Sequence, residues 1–146
     1  MKIALGSDHA GYVLKEAIKS YFSKSKIEFK DFGTFKIDSC DYPEYSYKVS
    51  IAVASGEADL GVLVCGTGIG MCITANKTKG IRAAQAIDIK TAQMSRLHND
   101  ANVLCLGGRL LEDKEAIEIV EAWLNTSFEG GRHQKRLNLI SQLTGV

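Results

Sequence analysis

The chain has 146 residues, of which 45% are hydrophobic and 24% are charged, a composition typical of one globular domain spanning residues 1–146. With 18 basic and 17 acidic residues the net charge is +1, so neither nucleic acid nor a membrane surface is the expected partner. No apolar run could span a bilayer, and "MKIALGSDHAG" turns polar too early for a signal peptide, so a cytoplasmic location is predicted.

Short apolar runs alternate with segments of helical spacing along the whole chain. The apolar runs predict strands over 2–7, 27–33, 59–65, 81–86 and 102–108. The helical segments predict helices over 11–24, 44–56, 68–80, 88–99, 113–126 and 129–146, with a loop over 34–43. The last helix, with its central part at about 131–144, follows another helix directly and so adds to the alternating strands and helices.

Strands that alternate with helices predict parallel βαβ units with helices on both faces of the sheet. The expected fold is therefore a three-layer α/β, doubly wound, five-stranded parallel sheet in the flavodoxin-like order 2-1-3-4-5, with an extra C-terminal helix. In this order strands one and three are neighbours at the topological switch point. Asp8, His9 and Cys65 are then expected to converge on one pocket, although they lie far apart in the sequence.

Cys65 closes the apolar run "LGVLVC" and precedes a glycine-rich turn. A cysteine at a strand end is often a small core residue, but the amides of this turn would favour a thiolate, and the position lies at the ligand edge of the sheet. The sequence favours the functional interpretation. Cys72 and Cys105 are predicted core residues and Cys40 an exposed loop thiol; no CxxC or Cys/His zinc spacing occurs, so no metal site is expected.

The glycines of "CGTGIGM" allow successive backbone amides to turn toward one ligand oxygen. Such a loop can hold a phosphate or a negative charge that develops during a reaction. A plain strand-to-helix turn remains an alternative. The dinucleotide pattern G-x-G-x-x-G fails at Met71, although Asp88 lies close to where the ribose-binding acid of that motif would stand, so a nucleotide- or flavin-binding module stays open.

Basic residues near the chain's second half are candidates for phosphate binding. Arg132 and Arg136 share one helix face at i, i+4 spacing, although a solvated face is an equally good interpretation of the spacing alone. Arg109 follows the last strand at the ligand edge and is the better single candidate. His98 and Asn99 close the fourth helix, and His133 is predicted to be structural.

The strings "SDHAG", "DYP", "CGTGIGM", "HND", "LGGR" and "RHQKR" occur in this order between residue 3 and about residue 140. Together they resemble the ribose-5-phosphate isomerase type B family, which lies in a wider family with galactose-6-phosphate isomerase. The resemblance implies a cofactor-free aldose–ketose isomerase that interconverts ribose 5-phosphate and ribulose 5-phosphate through an enediolate. An isomerase of a six-carbon sugar phosphate, allose 6-phosphate or galactose 6-phosphate, remains the alternative.

The resemblance also implies roles for individual residues. Cys65 is the implied base that moves a proton between C1 and C2, and His98 is the implied group for opening the furanose ring, with Thr67 assisting. The implied anion hole is the loop Gly66, Thr67, Gly68, Ile69 and Gly70. The implied substrate-binding side chains are Asp8, His9, Asn99, Arg109, Arg132 and Arg136, the last two mainly for phosphate, and Asp41 and Tyr42 would line the mouth.

The predicted fourth helix leads from the ligand edge near Asp88 to the opposite edge of the sheet, over about 15 Å for its roughly 10 residues. His98 is therefore expected to lie far from Cys65 of the same chain. If both serve one site, a partner subunit must supply His98, and the C-terminal helix could reach across in the same way. The prediction is a C2 homodimer with two composite sites, with a tetramer left open.

Overall fold

The computed structural model describes residues 1–146 and contains five strands and six helices. The strands are β1 (Lys2–Ser7), β2 (Glu28–Asp31), β3 (Leu60–Cys65), β4 (Ala83–Gln85) and β5 (Val103–Gly107). The helices are α1 (Tyr12–Lys24), α2 (Tyr42–Ala54), α3 (Ile69–Ala75), α4 (Ile89–Asn99), α5 (Asp113–Leu124) and α6 (Arg132–Thr144). None of these helices is long and apolar enough to cross a membrane.

All five strands are parallel and lie in the order β2-β1-β3-β5-β4. The predicted doubly wound α/β fold with an extra C-terminal helix is confirmed. The predicted order of the last two strands is wrong, because β5 and not β4 lies beside β3. The switch point between β1 and β3 stands where it was expected.

The positions of β4 and β5 in the sheet agree with their lengths and burial. All five residues of β5 are buried, which requires a neighbour on each side and a helix layer on each face. The three residues of β4 are only half-buried, as expected for an edge strand. As a result Cys65 is the register partner of Gly107, the last residue of β5, and the "GGR" segment that begins there lies next to the cysteine.

Two apolar layers cover the sheet. Helices α1, α4 and α5 pack on one face, where Ile18, Phe22, Ile119 and Trp123 are almost completely buried. Helices α2 and α3 pack on the other face in a second cluster that includes Met71. Burying each such large side chain contributes about 1.5–3 kcal/mol, so the two layers fix the positions of the strand ends.

Several helix ends differ from the predicted ones. Helix α2 begins at Tyr42, two residues early, because the extended Asp41 and Pro43 suit a first helical turn. Helix α3 ends at Ala75 rather than at Gly80, after less than two full turns. Helix α6 is shorter at both ends than 129–146, since Gly131 and Gly145 adopt positive φ angles at its two caps.

Candidate active site

Three loops meet at the carboxyl edge of the sheet, one after each of β1, β3 and β5. Their close approach depends on glycines. A Cβ atom on Gly11 would overlap the carbonyl of Val64, and one on Gly108 would lie 2.8 Å from the carbonyl oxygen of Ala10. The lack of side chains at these two positions lets the backbones touch and brings the segments around Asp8, Cys65 and Arg109 together.

Cys65 is the last residue of β3 and only 4% exposed. Its Sγ atom accepts a hydrogen bond of 3.1 Å from the backbone N–H of Gly68. A backbone N–H directed at a sulfur atom stabilises negative charge on it. The sulfur therefore lies under the glycine loop with one amide already directed at it.

The loop Gly66–Gly70 is fixed at its start by hydrogen bonds from the segment that follows β5. The carbonyl of Cys65 accepts from the N–H of Gly108 at 2.7 Å, and that of Gly66 accepts from the N–H of Arg109 at 3.0 Å. The backbone N–H groups of Gly66, Thr67 and Gly70 have no hydrogen-bond partner within the chain. Three unpaired amide donors next to a buried sulfur can bind an oxyanion.

Asp8 and His9 follow β1, whose last residue, Ser7, is the register partner of Val64, so both come next to the Cys65 loop. Asp8 is 6% exposed; its Oδ1 accepts from the N–H of Gly11 at 2.9 Å, and its own N–H donates to Val64 beside Cys65. The Nδ1 atom of His9 lies 3.2 Å from the backbone nitrogen of Cys40. This contact fixes the ring to the 34–41 loop and leaves Nε2 free for a ligand.

Two larger side chains border the glycine loop. The guanidinium of Arg109 lies over Gly66, where a Cβ atom would come within 3.3 Å of Nη1. The ring of Tyr42 packs on Gly70 from the other side, 2.7 Å from a Cβ atom built there. Arg109 is exposed and forms no ion pair with any residue of the chain. Its charge is therefore available beside the glycine loop. Tyr42 lies at the other end of this loop and follows the exposed Asp41 in the chain.

His98 and Asn99 lie at the opposite edge of the sheet. They occupy the last turn of α4, whose end is held by Arg82, the residue just before β4. Nε of Arg82 donates to the carbonyl of Asn99 at 3.1 Å, and Nη2 pairs with Asp100 at 2.8 Å. The six residues of β3 separate this edge from Cys65 by about 17 Å. One chain therefore does not bring His98 and Cys65 together.

His98 stacks on His133, with ring centroids 4.4 Å apart and an angle of 12° between the planes. Glu129 lies beside both rings, with Oε2 at 3.9 Å from Nε2 of His98 and 3.6 Å from Nε2 of His133. Near-parallel rings direct their lone pairs side by side, so this is a stacked pair and not a set of converging ligands. Burial and the adjacent His98 lower the pKa of His133.

Arg132 and Arg136 are exposed on α6, one turn apart, and neither forms an ion pair. Like His98 and Asn99, they belong to elements away from the Cys65 loop, since α6 packs against α4. The predicted substrate-binding residues thus fall into two groups in one chain. The group around Cys65 is Asp8, His9, residues 66–70 and Arg109; the distant group is His98, Asn99, Arg132 and Arg136.

The other three cysteines are unpaired. Cys105 is buried, as predicted for a core residue. Cys72, also predicted to be a core residue, is only half-buried and lies at the margin of the apolar layer, where its Sγ donates to the carbonyl of Ala83 at 3.4 Å. Hydrogen bonding with the Cys105 thiol lowers the pKa of Cys72 to about 7. Cys40 is half-buried rather than exposed, since its backbone packs on His9.

The sequence profile described as Ribose/Galactose Isomerase matches residues 3–140. The chain belongs to the ribose/galactose isomerase family. It is 46% identical over 142 residues to "Ribose-5-phosphate isomerase B" of Escherichia coli, covering 97% of this chain and 95% of that protein. The solved structure of Clostridium thermocellum ribose-5-phosphate isomerase B superposes with a TM-score of 0.98 at 48% identity, covering 99% and 98% of the two chains.

A third comparison concerns a structure with a ligand. Ribose-5-phosphate isomerase B from Mycoplasma genitalium, solved with bound ribulose-5-phosphate, superposes with a TM-score of 0.94 at 41% identity. The alignment covers 99% of this chain and 96% of that one. The family assignment therefore extends over the whole chain and over both groups of candidate residues.

The structure also answers two points that the sequence left open. Asp88 caps α4, because its Oδ1 accepts a hydrogen bond of 2.7 Å from the N–H of Thr91. This cap gives the carboxylate a structural role that does not require a nucleotide ribose. His133, predicted to be structural, is the stacking partner of a candidate catalytic histidine, a contact that no spacing in the sequence indicates.

Proposed function

We propose that this chain interconverts ribose 5-phosphate and ribulose 5-phosphate as an aldose–ketose isomerase. The observation that supports it most directly is the Cys65 sulfur beneath a loop with three unpaired backbone N–H groups. The solved relative with bound ribulose-5-phosphate, 41% identical over nearly the whole chain, supports the choice of substrate.

The chemistry needs a base next to a group that stabilises negative charge on oxygen. The Cys65 thiolate removes the proton from C2 of the open-chain aldose, which leaves an enediolate across C1 and C2. The N–H groups of Gly66, Thr67 and Gly70 stabilise the charge on the oxygen. The Cys65 thiol then returns the proton to C1, while a proton passes from the C2 oxygen to the C1 oxygen, and the ketose forms.

The remaining residues of the pocket bind and prepare the sugar. Asp8 and the free Nε2 of His9, at the end of β1 beside the Cys65 loop, hydrogen-bond the hydroxyl groups of the sugar. Arg109 brings an unpaired positive charge over the glycine loop. His98 opens the furanose ring by moving a proton from the C1 hydroxyl to the ring oxygen, and Asn99 assists in holding the sugar.

The distance between His98 and Cys65 within one chain supports a homodimer in which each subunit contributes to the partner's site. His98, Asn99, Arg132 and Arg136 lie on α4 and α6, away from Cys65 of their own chain. A C2 arrangement that places this surface over the partner's glycine loop would complete both sites at once. The two exposed arginines, one turn apart, would then bind the phosphate, because paired guanidinium groups suit that anion.

The activity is tested by incubating the purified chain with ribose 5-phosphate in EDTA and following ribulose 5-phosphate. Turnover is expected, with loss in Cys65→Ala and retention in Cys72→Ala, which removes a half-buried thiol outside the site. A folded protein that leaves ribose 5-phosphate unchanged but converts allose 6-phosphate or galactose 6-phosphate would move the proposal to a six-carbon substrate. A folded protein that converts none of the three sugar phosphates would overturn the proposal.

The four unpaired thiols suit a reducing compartment, and we place the activity in the cytoplasm.

The shared site is tested by subunit exchange. Cys65→Ala and His98→Ala are each expected to be inactive as homodimers. In a mixed dimer one of the two sites regains both residues, so about half of the wild-type activity per mixed dimer is expected. Verified mixed dimers without activity would overturn the shared site, whereas an active His98→Ala homodimer would show that His98 has no catalytic part.

A further inference from the structure

Three successive carbonyls in the Cys65 loop are each held by a donor from another segment. Backbone N–H groups of Gly108 and Arg109 hold the carbonyls of Cys65 and Gly66. The third carbonyl, that of Thr67, accepts a hydrogen bond of 3.0 Å from Nε2 of Gln85, at the end of β4. Gln85 is the only side chain among the three donors.

The carbonyl of Thr67 and the N–H of Gly68 belong to the same peptide group. In a planar trans peptide these two bonds point in opposite directions, so a donor that holds the oxygen also fixes the direction of the hydrogen. That hydrogen is the one directed at Sγ of Cys65, over 3.1 Å. The peptide between Thr67 and Gly68 therefore lies between the Gln85 amide on one side and the sulfur on the other.

Gly68 is enclosed by the same side chain. Its φ angle of +82° is in the left-handed region, and a Cβ atom built there would lie 3.0 Å from the backbone of Leu106 and 3.1 Å from Cγ of Gln85. Gln85 thus packs against the glycine as well as bonding the preceding carbonyl. With no other residue bonded to the Thr67 carbonyl, the orientation of this peptide depends on Gln85.

We infer that Gln85 is a positioning residue for the isomerase: by holding the Thr67 carbonyl it aims the Gly68 N–H at the Cys65 sulfur and so favours the thiolate that acts as base. The inference rests on the proposed function, which assigns Cys65 as the base. It adds a residue from the edge strand that does not touch the substrate. Because the amide on sulfur promotes proton removal and does not bind the sugar, Gln85 should influence kcat far more than KM.

The test compares Gln85→Met, which keeps the side-chain length without a donor, with Gln85→His, which keeps an N–H at about the same reach. Gln93→Met, on the exposed face of α4, is the matched control. In Gln85→Met we expect kcat to fall about tenfold with KM within about twofold, and Gln85→His to recover much of the loss. Gln93→Met should match the wild type.

Two further measurements report on the loop independently of isomerase activity. In Gln85→Met the backbone amide proton resonance of Gly68 should move upfield, because its N–H leaves the sulfur. Alkylation of Cys65 by iodoacetamide at neutral pH, identified by peptide mass analysis, should slow about threefold or more. An unchanged Gly68 resonance and alkylation rate in folded Gln85→Met, or equal losses in the Met and His variants, would overturn the inference. If the wild type shows no isomerase activity, the proposed function fails while these two measurements still decide whether Gln85 orients the loop.

Discussion

His98 and His133 stack face to face, with ring centroids 4.4 Å apart, at the end of α4 and the start of α6. His133 is 4% exposed, and its Nε2 atom is buried without a hydrogen-bond partner. A charged imidazolium in that position would be poorly solvated, and the adjacent His98 also disfavours a charge on it. Neutral His133 is therefore the form that suits the folded protein.

This stacking predicts how stability depends on pH. Because the folded-state pKa of His133 is lowered below the unfolded value of about 6.5, the unfolded chain binds the proton more readily. The stability from neutral His133 is present above about pH 6.5 and is lost as the pH falls below it. Urea unfolding at pH 7.5 and 5.5 should show a smaller drop in the free energy of unfolding for His133→Asn than for the wild type. Equal drops in the two proteins would contradict the prediction.

The two exposed arginines of α6 are predicted to act through the substrate's phosphate. Arg136→Met should raise KM for ribose 5-phosphate about tenfold or more, since a charge-assisted hydrogen bond contributes about 1.5–3 kcal/mol. The thermal midpoint should stay unchanged, because Arg136 forms no ion pair in the chain. Lys114→Met, which removes an equal charge from an exposed site on α5, is the control. A KM that rises equally in both variants would indicate a general charge effect and not a phosphate contact.

Much of this arrangement follows from the sequence. The alternation of apolar runs and helical segments gave the doubly wound sheet, and the switch-point rule placed Asp8 beside Cys65. The order of β4 and β5 did not follow, because the sequence does not show that "AAQ" pairs over only three residues while "VLCLG" is buried throughout. The order of β4 and β5 depends on how deeply each strand is buried in the folded protein, and local sequence patterns do not show that burial.

Contacts between side chains and distant backbone were also beyond the sequence. Gln85 lies in an ordinary edge strand, and its inferred role depends on the hydrogen bond from its amide to the Thr67 carbonyl in another loop. The stacking of His133 on His98 likewise depends on how α6 returns over the end of α4. Such relationships arise from tertiary packing, which spacing along the chain does not encode.

A buried ion pair beneath the 32–36 loop predicts a large stability effect. The Nζ atom of Lys15, whose side chain is completely buried, lies 2.6 Å from Oδ2 of Asp31, and Lys19 lies 2.8 Å from the same oxygen. Although burial acts in the other direction, hydrogen bonds from these two lysines lower the pKa of Asp31. Asp31→Asn leaves the buried ammonium of Lys15 with only the partly exposed carboxylate of Glu16, whose Oε1 lies 3.2 Å from Nζ. The loss of the buried partner should cost about 3 kcal/mol of unfolding free energy.

Urea unfolding at pH 7 measures this loss, with Asp38→Asn as the control, because Asp38 pairs with Lys36 in full solvent. The pH dependence follows from the lowered pKa. The stability from ionised Asp31 is present above its unfolded value of about 4 and is lost as the pH falls through the lowered folded value. The stability difference between wild type and Asp31→Asn should therefore shrink in acid. If the two variants were equally stable at pH 7, the buried pair would not contribute as argued.

The contact between Gly11 and the end of β3 predicts a mutation that damages activity through the backbone. Gly11 has an ordinary φ of −96°, so alanine is not excluded by conformation, but its Cβ would overlap the Val64 carbonyl. That carbonyl accepts the N–H of Asp8 and cannot easily yield, so the start of α1 must shift and carry Asp8 and His9 with it. We expect Gly11→Ala to cost about 1–3 kcal/mol in stability and to reduce kcat/KM about 100-fold, as displacements near 1 Å do. Val13→Ala, on the exposed side of the same turn, should leave both quantities unchanged. Full activity in a folded Gly11→Ala protein would show that the three loops tolerate the shift and that the site does not depend on this close approach.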